Sequence, residues 1–209
     1  SIIDVPRPQR DVTAATNHGG VAILFRNRFA AQRINLGIAP TTFEVLACSL
    51  RSVSTSFIYI VVYRPGSQPV TTQFFSELTT LFETVATFQS QVVVSGDFNL
   101  HVNDPADRHG HQLLQLLDTF DLRQNVQHPT QRGGHTLDLI ITHCGVIPSE
   151  MRVDPPVYSD HSLVSCSFPA VHFAPTQRVL KTVRHWKRLD KDALRKSILQ
   201  SPLCEDVSR

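Results

Sequence analysis

The sequence predicts an α+β domain, a two-sheet β-sandwich flanked by helices. Three observations carry this expectation. Short β-branched and aromatic runs crowd together before residue 65, a phenylalanine-rich helical stripe spans 71–88, and strand-like runs return after residue 90 around a second helical pattern. Two groups of strands separated by helices suit a sandwich with helices outside it, although periodicity alone does not choose the topology.

The elements follow in order. Residues 19–26, GGVAILFR, are a short apolar run after a glycine pair and read as a buried strand. Residues 43–50 (FEVLACSL) and 56–65 (SFIYIVVYRP) are β-branched or aromatic runs, the second closed by Pro65, with RSVST between them as a turn. Strands so close in sequence suggest an antiparallel meander. Over 71–88 the period changes: Phe74, Phe75, Leu78, Leu81, Phe82, Val85 and Phe88 recur at helical spacing, and Thr71 or Thr72 can cap the start. These phenylalanines are most simply core residues. A strand over 91–96, an amphipathic helix over 109–120, and strand-like runs at 135–142, 151–157 and 162–168 complete the body. PAVHFAPTQ (169–177) ends it, so a domain over 1–170 is expected before a linker and tail over 171–209 with a short helix at 190–199.

At 209 residues the chain is one domain with room for such an appendage, and 41% hydrophobic with 18% charged residues suits a globular core. No apolar run approaches the roughly 20 residues that span a membrane. The first residues lack the cationic, apolar, small-residue order of a secretory signal, and there is no initiator Met. The chain is therefore expected to begin inside a longer protein. The four cysteines, Cys48, Cys144, Cys166 and Cys204, are widely spaced without a C-x-x-C, which favours a reduced intracellular protein and disfavours a zinc site. The formal charge of +2 hides an asymmetry: residues 1–177 carry a net −3, whereas 178–209 carry +5 and every lysine. A basic tail on a weakly acidic body fits a linker or a polyanion contact; a solvated helix face is the bland alternative.

The polar residues at strand ends carry the chemistry. VVVSGDFNL drives a buried run into Asp97 and Asn99; alternation would put these two on one face and turn Phe98 into the core. Gly96 allows either a close backbone approach or an unusual φ. Alone, GDFN reads more simply as a turn whose Asp and Asn bond nearby amides. A second feature changes the balance: Asp138 sits among Leu137, Leu139, Ile140 and Ile141, where a carboxylate is costly unless paired. YSDHSLV supplies a partner, His161, with Asp160 beside it, and Tyr63 ends an earlier strand. An Asp that holds a His in one tautomer is a recurring catalytic device, though a structural buried pair is the ordinary alternative. Carboxylates with an amide and a His suit divalent-metal hydrolysis of a phosphodiester, and oxygen ligands favour magnesium or manganese over zinc.

GDFN, LDL and SDH, in this order and spacing, resemble the endonuclease/exonuclease/phosphatase superfamily, which includes pancreatic deoxyribonuclease and the apurinic/apyrimidinic repair endonucleases. GGVAILFR, VVYRP, VVSGDFNLHV, PTQRGGHTLDLIIT and YSDHSLV further resemble the endonuclease domain of non-LTR retrotransposon polyproteins, and the tail VRHWKRLDKDALRKSIL resembles the segment leading toward their reverse transcriptase. The likeness covers roughly residues 18–200. It implies a deoxyribonuclease I-like four-layer α/β/β/α fold, Mg²⁺ with Mn²⁺ as a substitute, DNA as partner, a reverse transcriptase domain on the C-terminal side, no membrane, and an intracellular, nuclear setting. Residue by residue, it implies that Asp97 positions or deprotonates the attacking water and Asn99 orients water or phosphate. Tyr63 would bond the phosphate, Asp138 would orient His161, His161 would stabilise charge, and Asp160 would join Asp97 at the metal. His101, His109, His111 and His135 match no role and read as loop or surface residues.

One departure matters. The family opens with a strand carrying an Asn and then a strand carrying a metal-binding Glu, and neither is found here; the acids before residue 19 are Asp4 and Asp11, and the one Trp, Trp186, is in the tail. The expectation is an N-terminally truncated DNA-nicking endonuclease domain, weak or inactive as this fragment. The alternatives are a non-catalytic module that binds phosphate or nucleic acid, and a phosphodiesterase of the same superfamily acting on inositol phosphates or sphingomyelin.

Overall fold

The β-branched and aromatic runs become the inner strands of a six-stranded sheet. Residues 1–5, 20–53, 55–168 and 190–201 are described by the computed structural model. The chain forms two compact units, Ser1–Phe173 and Ala174–Arg209. The first contains β1 (Ile2–Val5), β2 (Val21–Leu24), β3 (Ala30–Ile34), β4 (Glu44–Arg51), β5 (Ser56–Tyr63), α1 (Thr72–Ala86), β6 (Gln91–Asp97), α2 (Arg108–Thr119), β7 (Leu122–Gln124), β8 (Asp138–His143), β9 (Ser149–Asp154) and β10 (Leu163–Ser167). The described part of the second is α3 (Lys191–Leu199), capped by Asp190 and without buried residues. Trp186 lies outside the described residues, as do Asp11 and Cys204.

The main sheet has the order β3-β4-β5-β6-β8-β7. An antiparallel meander is present, but its members are β3, β4 and β5. The GGVAILFR run is not one of them: β2 pairs with β1 in a separate two-stranded ribbon. AAQRI escapes a hydropathy reading because β3 is an edge strand with mostly exposed side chains. The link from β5 to β6 is parallel and therefore needs a crossover, which α1 supplies. Thr71 is the residue that caps α1, its hydroxyl accepting from Phe74 N at 3.2 Å.

Three layers result. α1 and α2 cover one face of the sheet, where Phe74, Phe75, Leu78, Leu81, Phe82 and Val85 meet Ile58, Ile60, Val62, Val92 and Val94. Each buried side chain of this size contributes about 1.5–3 kcal/mol. The other face carries two ribbons in place of one continuous second sheet. β1–β2 lays Val21 and Ile23 on Leu46, Cys48 and Leu50, and β9–β10 lays Met151, Val153 and Val164 on Val93 and Ile140. α1 and α2 are the helices among the described residues of this unit, and both lie on the same face. No helix among the described residues is long and apolar enough to cross a membrane.

Candidate active site

Cross-strand register assembles the site. Glu44 pairs with Tyr63, Tyr63 with Asp97, and Asp97 with Asp138, so four polar residues form one row across β4, β5, β6 and β8. Side chains opposite one another share a face. That face is the ribbon side, because Tyr63 packs with Leu46 and Val61 in the cluster under β1–β2 while Ile140 lies under β9–β10. The row closes one end of a mainly apolar floor that also carries Tyr59 and Ser95, whose hydroxyls lie 2.6 Å apart. Glu44 also accepts from Gly20 N at 2.7 Å.

Asp97 is placed by the glycine before it. Gly96 has φ +138°, and a Cβ there would sit 1.9 Å from the carbonyl oxygen of Val62. The close approach and the unusual φ are thus both realised. Beyond Asp97 the strand stops. Phe98 donates its N–H to Leu137 O at 3.0 Å and is fully buried, as alternation predicts. Asn99 is not placed by alternation: its φ of 49° turns it left-handed and folds it back on Asp97. Its backbone N–H donates to Asp97 Oδ1 at 2.9 Å, and its side-chain amide donates to Asp97 Oδ2 and to Arg64 O, both at 2.8 Å. GDFN is therefore an Asp–Asn turn and one edge of the polar cluster at once.

Asp138 and His161 meet as the sequence leads one to expect, with Oδ2 2.8 Å from Nδ1. Both are half-buried. Thr130, fully buried, holds the two segments together. Its hydroxyl accepts from Leu137 N and Asp138 N at 3.0 Å each, and its carbonyl accepts from Ser162 N at 2.7 Å. Sequence reasoning missed Thr130 and Arg64; both lie inside motifs, PTQ and YRP, whose polar members looked incidental.

Asp97, Asp138 and His161 bring their ligand atoms within 4.8 Å of one another. Asp160 does not join them, contrary to its expected place at the metal. It is exposed, and its carboxylate accepts from the Gln131 side chain at 3.2 Å while its carbonyl accepts from Arg132 N. Gln131 pairs with His161 in a short backbone bridge, and its side chain holds the Asp160 carboxylate at the exposed surface. Asp4 is exposed, on the opposite side of β1 from Ile3, which packs inward. Among the described residues, no other histidine joins the cluster. His101 and His135 stack with centroids 4.1 Å apart, His101 lies 3.3 Å from Asp107, and His109 and His111 belong to the first turn of α2.

The electrostatics differ within the cluster. Burial, reinforced by the neighbouring charge of Asp138, pushes Asp97 up to about 6, against the pull of the Asn99 bonds and His161. For His161, burial works to lower the pKa, but the bond and charge of Asp138, with the charges of Asp97 and Asp160, outweigh it and raise it. The arrangement can therefore hold an imidazolium, an oriented carboxylate and a second carboxylate with affinity for a proton or a cation.

Comparisons with known proteins bear on the family and the fold. Residues 57–165 match the family described as endonuclease-reverse transcriptase. Among solved structures, the endonuclease domain of TRAS1, a telomere-specific non-LTR retrotransposon, is similar with a TM-score of 0.56 at 15% identity, over 68% of this chain and 68% of that one. The 3′ phosphatase NExo from Neisseria gives a TM-score of 0.52 at 17% identity over 81% and 79% of the two chains. The human Nocturnin catalytic domain gives 0.55 at 19% identity over 82% and 72%. No curated protein matches by sequence. At these identities the structural likenesses establish a deoxyribonuclease I-like fold. The match over more than half of the chain establishes the family: this chain belongs to the endonuclease-reverse transcriptase family of the endonuclease/exonuclease/phosphatase superfamily and is retrotransposon endonuclease-like.

Proposed function

We propose that the first unit is a magnesium-dependent phosphodiester hydrolase that nicks DNA. The observation that carries this is the convergence of Asp97, Asp138 and His161 at one end of the sheet. Two carboxylates and a histidine within 4.8 Å fit a hard divalent cation, Mg²⁺ or Mn²⁺, held chiefly through Asp97. When bound, the cation would polarise the phosphoryl oxygens. The protein's own groups do the rest. Asp97 accepts the proton of the attacking water, and Asn99 fixes the carboxylate through its two bonds. His161, held by Asp138 at Nδ1, presents its other N–H to the developing charge on a phosphate oxygen. Tyr63, next to Asp97 in the row, steadies the phosphate. A hard cation ordinarily takes six or more oxygens, water included, and the two carboxylates clustered among the described residues are the one or two that Mg²⁺ commonly takes from a protein, with water and phosphate filling the rest.

DNA is the substrate that family membership favours, and the basic second unit with α3 is the connector toward a reverse transcriptase domain acting on nuclear DNA. The test is nicking of a supercoiled plasmid by the purified chain. Mg²⁺-dependent nicking that EDTA stops and His161→Ala lowers by about 10²–10⁴-fold is the expected result. Folded protein that retains plasmid without cutting it would leave a phosphate-binding module in place of an enzyme, and nicking indifferent to His161→Ala would remove the site from the chemistry.

A further inference from the structure

We propose that Arg64 is a positioning residue: its guanidinium clamps the backbone that follows Asp97 and thereby sets the geometry of the Asp97–Asn99 pair. This rests on the hydrolase reading for its consequence in catalysis, while the clamp itself is a matter of structure. Arg64 directly follows β5 and is only 4% exposed. A cation so deeply buried is costly unless every donor is used. Arg64 spends its donors on main-chain carbonyls. Nε donates to Phe98 O at 2.8 Å and Nη2 to Asn99 O at 2.7 Å, the two residues after Asp97. Nη1 donates to Gln68 O at 2.9 Å and Pro65 O at 3.2 Å, tying in its own loop.

The main chain repeats the connection in both directions. Arg64 N–H donates to Asp97 O at 2.9 Å, and the Asn99 side chain donates to Arg64 O at 2.8 Å. Gly66 leaves room for this: a Cβ there would lie 2.6 Å from Asn99 Oδ1. The guanidinium also lies over the Phe74 ring of α1, 5.8 Å from its centroid, which keeps the plane in one orientation. Asn99, with its φ of 49°, is in a conformation a non-glycine residue adopts at a cost. Its carbonyl is held by Arg64 and its side chain by Asp97 and Arg64 together, so the clamp over-determines the turn. The guanidinium's five N–H groups lie in a planar fork that reaches carbonyls on two different segments; an ammonium is a point charge with three rotatable donors. Lysine would keep the charge and lose the clamp.

The experiment compares Arg64→Lys with Glu77→Gln, which weakens the anchor of α1 to Thr41 and Thr42 and removes none of the Arg64 or Asn99 bonds. Backbone and side-chain NMR shifts of Asn99 report its left-handed turn, and plasmid nicking with Mg²⁺ gives kcat and KM. The expected result for Arg64→Lys is loss of the left-handed Asn99 signature and a fall in kcat of roughly 10–100-fold with KM within about threefold, since misplacing a reacting group by an ångström costs this much. Glu77→Gln should lower thermal stability and move neither the Asn99 shifts nor kcat. If Arg64→Lys does not fold, Arg64→Gln, which removes the charge and keeps two donors on one nitrogen, is measured the same way. Unchanged Asn99 shifts in the folded variant overturn the proposal. An inactive wild type overturns the hydrolase reading alone, because the Asn99 shifts still decide the clamp.

Discussion

Two carboxylates of this protein sit in opposite electrostatic situations. Glu77, on α1, accepts from the N–H groups of Thr41 and Thr42 at 3.0 Å each, from their hydroxyls at 2.8 and 2.6 Å, and from Gln73 at 3.0 Å. Burial works to raise its pKa, but these donors overcome it and pull the group down to about 2. Asp97 receives two bonds, both from Asn99, and faces Asp138 across the ladder; burial and that like charge push it up to about 6. A saturated carboxylate anchors, here fastening the loop before β4 to α1. A carboxylate that is buried, short of donors and set against a like charge costs stability, and such groups concentrate where binding or proton transfer is needed. The contrast separates a structural acid from the one proposed to act in catalysis.

Removing the charge that creates the contrast should have the largest effect. Asp138→Asn keeps the shape of the site but takes away the carboxylate that holds His161 at Nδ1. Nicking should fall by about 10²–10⁴-fold, the scale of a lost acid–base group. The pKa of His161 is raised by Asp138, so the variant's imidazole should titrate at lower pH, and the alkaline limb of any residual pH–rate profile should move down. An unmoved limb with intact activity would separate Asp138 from His161.

Asp97→Asn tests the cost of the carboxylate proposed to act in catalysis. The folded pKa of Asp97 is raised from 3.8 to about 6, so its favourable contribution is fully present below 3.8 and lost as pH rises through about 6. The metal-free variant should therefore be more stable than wild type at pH 7.5, by on the order of 2 kcal/mol from the size of the shift, with the gap closing below about pH 4. It should also be inactive in nicking. Denaturant melts at the two pH values check this; a destabilised variant at pH 7.5 would mean that the Asn99 bonds outweigh the burial and the charge of Asp138.

Glu77→Gln should give the smallest change and the opposite pH dependence. The folded pKa lies below the ordinary 4.5, so the contribution is present above 4.5 and lost as pH falls toward about 2. Glu77 is half-buried, so solvent still screens part of the shift, and a loss of about 1 kcal/mol, a few °C in Tm, is expected at neutral pH. Thermal melts of variant and wild type should converge as pH approaches 2. Divergence on acidification would show that Glu77 is not the saturated acid of the pair.

Much of this was legible locally. The helical stripe of Phe74 to Phe88 predicts α1, which ends two residues before Phe88, and Thr71 or Thr72 as its cap, of which Thr71 is the one used; the β-branched runs predict β4, β5 and β6, because periodicity and capping are properties of neighbouring residues. The acids at the ends of GDFN and LDL, and the His of SDH, also stand out locally, since polar groups next to buried runs are costly unless used. β1, β3 and β7 did not stand out: they are short, and β3 is mostly exposed. Pairing β2 with β1 instead of with the meander is a choice between partners distant in sequence.

The site shows the same division. The sequence by itself determined the residue types at the strand ends and the glycine that lets Asp97 approach β5. Only the tertiary structure decided that Glu44, Tyr63, Asp97 and Asp138 share one row, because register is set by hydrogen bonds between separate strands. It likewise left Asp160 exposed on Gln131 while His161 met Asp138, and made Asn99 a left-handed residue held by Arg64. A side chain's direction in a loop depends on which distant donors and acceptors need partners, and the buried carbonyls of Phe98 and Asn99 find theirs 34 and 35 residues back along the chain.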